Sequence, residues 1–154
     1  MLPLQYLNYE MEKIVEDRYL AIDFGQKRIG LALTDPLKII AYPFKTIINN
    51  SKAVNEILSL IKQNNVGRVI IGYPLKENGS KYEFTFKVEK FCKEIQSKIN
   101  IDIFLRDERY TSQIALSNVL ESESKKSKRR DKGLIDKNAA CIILQEYLEE
   151  IKIK

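Results

Sequence analysis

Three carboxylates stand where they could do chemistry in this 154-residue chain. Asp23 closes the apolar run Tyr19–Ile22, Glu108 lies within Arg106-Asp-Glu-Arg-Tyr-Thr-Ser112, and Asp136 lies within Gly133-Leu-Ile-Asp-Lys-Asn-Ala-Ala140. An ionised Asp at a buried strand is costly unless something positive meets it. Convergent carboxylates repel one another unless cations neutralise them. Two Mg²⁺ ions (or Mn²⁺) held in this way could also activate water and stabilise a leaving oxygen on a phosphodiester. Each residue has a plainer reading too. Asp23 could cap its turn, Glu108 could pair with Arg106 or Arg109 at the surface, and Asp136 could be an N-cap favoured by the helix dipole. Spacing alone does not choose, because the three are far apart in sequence.

The elements that would position them follow from hydrophobic periodicity. Three strand-like runs, Arg18–Asp23, Arg28–Thr34 and Ile39–Thr46, are joined by short turns, which favours an antiparallel meander. Val54, Ile57, Leu58 and Ile61 then follow helical spacing, with Asn50 or Ser51 as cap and Gly67 as stop. Val69–Tyr73 is a continuous apolar run, as expected of a buried parallel strand. Val88, Phe91, Cys92 and Ile95 mark a second helix, Ile101–Leu105 a further strand, and Ala115, Leu116, Val119 and Leu120 a third helix capped by Thr111 or Ser112. Asp136 opens a last helix defined by Ala139, Ala140, Ile143, Leu144, Tyr147 and Leu148. The order β-β-β-α-β-α-β-α-α predicts an α/β domain: a mixed five-stranded sheet, meander first and βαβ units after, flanked by helices, with strand one central. Functional groups in such sheets gather at the carboxyl ends of parallel strands, where Asp23 and Glu108 would both sit. The segment Gly72-Tyr-Pro-Leu-Lys-Glu-Asn-Gly79 follows strand four at that same edge. Gly72 there permits close approach, and Lys76 is a candidate phosphate contact.

Composition narrows the chemistry. There is no histidine, which excludes Ser-His and Cys-His nucleophilic machinery and histidine zinc sites. Cys92 and Cys141 read as small core residues. The net charge is +5, and the stretch Lys125-Lys-Ser-Lys-Arg-Arg-Asp-Lys132 holds six basic residues and one acidic one. The rest of the chain is left with 20 of each. A loop carrying the whole charge excess is either a phosphate-backbone contact, through Lys125, Lys126, Lys128, Arg129 and Arg130, or solvated surface. No apolar run reaches the length of a membrane span, and the first residues lack the pattern of a signal peptide, so a cytoplasmic protein is expected. Residues 1–17 are polar, lack a clean period and read as an N-terminal extension to a single domain over 18–150.

Four motifs in order resemble the YqgF family of bacterial pre-16S rRNA nucleases and Holliday-junction-resolvase-like proteins. They are Ala21-Ile-Asp-Phe-Gly25 with Arg28-Ile-Gly30, Gly72-Tyr-Pro-Leu75 with Asn78-Gly79, Asp107-Glu-Arg109 with Thr111, and Asp136-Lys-Asn-Ala-Ala140. The resemblance runs from about Arg18 to Leu148. It implies an RNase H-like fold and metal-dependent cleavage of nucleic-acid phosphodiesters, with Asp23, Glu108 and Asp136 as catalytic metal ligands. It also makes a phosphate-binding role for the basic loop more plausible, with Arg28, Lys76 and Arg109 as further substrate contacts. Structured RNA, branched DNA and a pre-ribosomal particle are the implied partners. Other classes compete with a nuclease that processes the 5′ end of pre-16S rRNA. One is a Holliday junction resolvase, one a nucleic-acid-binding assembly factor with little catalysis, and one a nucleotide-binding ATPase on a related core, which a chain of 154 residues disfavours.

Overall fold

The computed structural model describes residues 3–4, 17–109 and 132–153, apart from the side chains of 132–136 and 153. The expected helix over 115–120, the basic loop at 125–131 and most of the 1–17 extension lie outside the described residues.

Five strands form one sheet in the order β3-β2-β1-β4-β5. They are β1 (Arg18–Phe24), β2 (Arg28–Thr34), β3 (Ala41–Ile48), β4 (Val66–Tyr73) and β5 (Asp102–Asp107). The first three make the antiparallel meander, and β4 and β5 run parallel to β1. The helices are α1 (Ala53–Gln63), α2 (Glu83–Lys98) and α3 (Lys132–Ile153).

Side-chain size sorts the two faces of the sheet. Successive strand residues point to opposite sides. Along β1 and β2 the large Leu20, Ile22, Leu31 and Leu33 pack against α1 and α2, through Ile57, Ile61, Val88 and Ile95. The alternate positions are Ala21 and Ala32, and with Ala41 and Ile70 they meet Ala140, Ile143, Leu144 and Leu148 of α3. Small residues on that face let the long helix lie close to the sheet. Tyr147 touches Tyr19 at the start of β1, ring centroids 5.9 Å apart, while Ala140 packs in the cluster of Ala21. Traced backward, α3 therefore climbs toward the carboxyl end of β1.

Several boundaries differ from the sequence reading: β3 runs over Ala41–Ile48 rather than 39–46, with Ile39 and Ile40 exposed ahead of it, and β4 and β5 extend to Val66 and Asp107. Gly67 does not stop α1 but lies inside β4. The left-handed turn falls at Asn65, φ 51°, and Asn is one of the few non-glycine residues that tolerates it. Neither Asn50 nor Ser51 is the N-cap of α1. That position is Lys52, whose backbone N–H donates to Asn50 Oδ1 at 2.9 Å. Asp136 does not open the last helix, because the helical backbone begins at Lys132. The N-cap alternative for Asp136 therefore falls away.

Candidate active site

The strand ladder brings two of the three carboxylates together. Ile22 of β1 is level with Ile71 of β4, so Asp23 comes beside Gly72. Gly72 is in turn level with Arg106 of β5, and Tyr73 with Asp107. The Glu108 backbone N–H donates to the Tyr73 carbonyl at 3.2 Å, which extends the ladder one residue past β5. Glu108 then lies back over Gly72. A Cβ built at position 72 would land on the Glu108 carboxylate. The glycine is therefore required for space: its missing side chain is the seat of the Glu108 carboxyl.

The electrostatics follow from that seat. Burial pushes the Glu108 carboxyl up to about 8, and the neighbouring Asp23 charge adds to the rise. Arg106 opposes it, but its guanidinium is held by α3: Nη2 lies 3.0 Å from Glu146 Oε2 and Nη1 lies 2.5 Å from Glu150 Oε1. Two neighbouring carboxyls in a half-buried niche, one of them kept from ionising by burial and by the other's charge, form a perturbed constellation of the kind found at functional sites.

A short clasp aims Glu108 inward. Asp107 Oδ1 accepts the Arg109 backbone N–H at 3.0 Å, making an Asx turn around Glu108. The Arg109 side chain closes on the same carboxylate, Nε to Oδ2 at 2.8 Å and Nη2 to Oδ2 at 2.7 Å. The arginine holds the Asp107 carboxyl below its usual range. Arg109 Nη1 also reaches the Glu77 carbonyl at 3.4 Å, tying the loop after β4 to the end of β5. The base of that loop is fixed by buried Thr85, whose hydroxyl donates to the Pro74 carbonyl at 2.5 Å and accepts from the Tyr82 backbone N–H at 3.2 Å.

The other candidates scatter around this pair. Asp136 lies on α3 one turn before Ala140 and on the same stripe, so the backbone carries it toward the carboxyl end of β1. Its side chain lies outside the described residues. Among the described residues no group of three His, Cys, Asp or Glu gathers. Arg28 begins β2, and Lys76 is exposed in the loop after β4. Lys125, Lys126, Lys128, Arg129 and Arg130 lie outside the described residues. The Asp107–Arg109 clasp and the capture of Arg106 by α3 were not read from sequence. Asp-x-Arg spacing is a signal for the first. Nothing in the sequence signals the second, whose partners are about forty residues on.

A mixed five-stranded sheet with paired carboxylates at its parallel carboxyl edge defines an RNase H-like domain. Two solved structures share the fold. Thermus thermophilus RuvC in complex with a Holliday junction substrate superposes with a TM-score of 0.55 at 14% identity, covering 86% of this chain and 95% of that one. The fowlpox virus resolvase bound to Holliday junction DNA gives 0.54 at 13% identity, covering 87% and 98%. Residues 17–150 match the RuvX family, described as Holliday junction resolvase, and the chain belongs to that family. Relatives carry the name "Putative pre-16S rRNA nuclease". The one from Dictyoglomus turgidum is 41% identical over 139 residues, covering 88% of this chain and 96% of its own. The one from Ehrlichia canis is 34% identical over 153 residues, covering 94% of each. The YqgF resemblance read from the four motifs agrees with these matches.

Proposed function

We propose that this protein is a divalent-metal-dependent nuclease that processes the 5′ end of pre-16S rRNA. The observation that carries the reading is the Glu108 carboxyl seated on Gly72 beside Asp23. Two acidic groups built into a niche that disfavours their joint ionisation fit a site completed by a hard cation, for which carboxylate oxygens are the preferred ligands. Asp23, Glu108 and Asp136 would hold it. Mg²⁺ or Mn²⁺ there would supply an activated water and charge stabilisation at the departing oxygen. The chain's own contribution is positioning. Gly72 leaves room for Glu108, the Asp107–Arg109 clasp fixes its direction, and Glu146 and Glu150 of α3 hold Arg106. Lys125, Lys126, Lys128, Arg129 and Arg130, together with Arg28, Lys76 and Arg109, supply the phosphate contacts in this reading.

The family match beginning at residue 17 supports a single catalytic domain over 18–150 preceded by an extension. A cytoplasmic setting on pre-ribosomal particles belongs to the same reading. Among the described residues no helix is long and apolar enough to cross a membrane.

The deciding experiment incubates the protein with labelled pre-16S rRNA 5′ leader and, separately, a four-way DNA junction, in Mg²⁺, Mn²⁺ or EDTA. Metal-dependent cutting of the leader is expected. Cutting of the junction alone would transfer the activity to a resolvase, the alternative that the family description favours. Binding without cutting in any metal would make the protein an assembly factor.

A further inference from the structure

On the face of the sheet opposite α3, a cleft of about 270 Å³ opens at the carboxyl end of β1, around the corner of the sheet from the Asp23 side chain. Phe24, the residue after Asp23, forms part of its wall, facing Asn50 and Ser51 across the start of α1, with Lys87 and Lys90 of α2 along the rim. Phe24 belongs to a row of rings. Its centroid lies 4.7 Å from buried Phe91 and 5.8 Å from Phe84, and Phe84 lies 6.5 Å from Tyr82. Phe91 is the floor, Phe24 and Phe84 are half-buried, and Tyr82 is 36% exposed. The row thus leads from the loop that follows Gly72 down to the cleft. Lys87 and Lys90 are exposed one turn apart on α2. Glu83 lies 3.9 Å from Lys87 and is itself largely exposed, so that pair is loosely held. Glu94 lines the far end of the cleft, where a phosphate would be repelled.

Aromatic faces interleaved with lysines are the means by which proteins hold unpaired nucleic-acid strands. Bases stack on rings, and the cations follow the backbone. We propose that Phe84, Tyr82 and Phe24, with Lys87 and Lys90, form a track for single-stranded RNA. The strand crosses the carboxyl edge of the sheet and delivers its phosphate to Asp23 and Glu108. The rings are recessed, so a base must leave its helix to reach them, which selects against duplex. The side chains of Asn50 and Ser51 offer a donor and acceptor set suited to a ribose 2′-hydroxyl. The inference rests on the nuclease reading for the direction of the strand, but its test does not require cleavage.

The test measures fluorescence anisotropy of labelled dodecauridylate on the full chain in EDTA, beside a 12-base-pair RNA duplex, dodecathymidylate and free UMP. Lys87→Gln/Lys90→Gln is expected to weaken binding of the RNA strand about fivefold and to flatten the salt dependence by about 1.4 logarithmic units, at about 0.7 per phosphate contact. Phe84→Leu is expected to cost about fivefold or more, and on leader RNA the effect falls on KM. Should Phe84→Leu lower the melting temperature, the two exposed lysines still give the answer. Unchanged affinity and slope in the lysine variant would overturn the track. So would equal losses on duplex, UMP binding as tight as the oligomer, or thymidylate binding as tight as uridylate. A protein that binds RNA through these residues yet cuts nothing refutes the nuclease reading alone. One that cuts leader while the variants bind normally refutes the track alone.

Discussion

At the amino end of the sheet Arg68 donates to Tyr147 Oη at 2.6 Å, lies 3.8 Å from Asp102 and stacks over Tyr19 at 5.5 Å, so its charge is met on three sides. Arg18 beside it donates to Tyr42 Oη at 2.7 Å. At the carboxyl end the arrangement is reversed. The Asp23 and Glu108 carboxyls lie together at Gly72, burial and the Asp23 charge push Glu108 up to about 8, and Arg106 is held by Glu146 and Glu150. The strands and the helix α3 are common to both ends, so backbone architecture does not explain the contrast. The amino end lowers the energy of the fold. The carboxyl end leaves an electrostatic cost standing, and such costs persist where a ligand relieves them.

The largest effect expected from breaking this contrast is loss of cleavage. Asp23→Asn, Glu108→Gln and Asp136→Asn should each reduce cleavage of leader RNA roughly 100-fold or more, since even partners that only orient metal ligands matter at about that level. Gly72→Ala should do the same with every carboxylate intact, because the new methyl takes the Glu108 seat. Near-normal rates in any one variant, measured with Mg²⁺ at saturating RNA, would remove that residue from the site.

The next effect belongs to the amino end and should spare activity. Tyr147→Phe deletes one hydrogen bond to a charged group and should cost about 1.5–3 kcal/mol of stability. Urea titration would show it, while the cleavage rate of the folded protein stays as it was. A fall in rate with unchanged stability would mean that the two ends are not independent.

A smaller effect has the opposite sign. The Glu108 carboxyl lies at about 8 in the folded protein and near 4.5 when unfolded. The folded state therefore holds a proton that the unfolded state releases. Metal-free wild type loses stability as pH rises from about 4.5 to about 8, and nothing further above that. Glu108→Gln removes the loss. The two proteins should melt alike at pH 4, and the variant should be more stable at pH 9 in EDTA by roughly 1–2 kcal/mol, or roughly 2–8 °C. That is below the ceiling of about 5 kcal/mol that the full shift sets, because the Glu108 carboxyl keeps some contact with solvent. A variant that melts lower than wild type at pH 9 would show that Glu108 is already compensated.

The smallest effect tests the clasp. Arg109→Gln keeps the Asx turn but loses the grip on Asp107 and the Glu77 carbonyl. It should lower the cleavage rate severalfold with little change in stability, and Arg109→Lys should restore only part of it, because a single ammonium cannot bridge both. Equal rates in the two variants would make Arg109 a simple phosphate contact.

Much of this was legible in the chain because hydrophobic period is a local property. The alternation of Leu20, Ala21 and Ile22 and the unbroken run Val69–Tyr73 sufficed for a meander entering parallel strands, with Asp23 at the central edge. The small-residue face at Ala21 and Ala32, and its use by α3, emerged only in the structure. The limits of elements were harder. Gly67 resembles a helix stop, but Asn65 tolerates the same backbone, and tertiary pairing drew Gly67 into β4. Relations across the chain were illegible. Phe24 and Phe84 share a ring row, and Arg106 reaches Glu146, only because the sheet registers bring them together, and no spacing rule encodes that.

The seat on Gly72 has a consequence in time. Asp23 lies in β1 and Glu108 just beyond β5, more than eighty residues later, and the seat at Gly72 forms only when β4 and β5 are in register. Long-range parallel pairing forms late in folding. A chain in which β4 and β5 are not yet paired therefore has no seat for the Glu108 carboxyl. The niche belongs to the paired strands together and to neither segment alone.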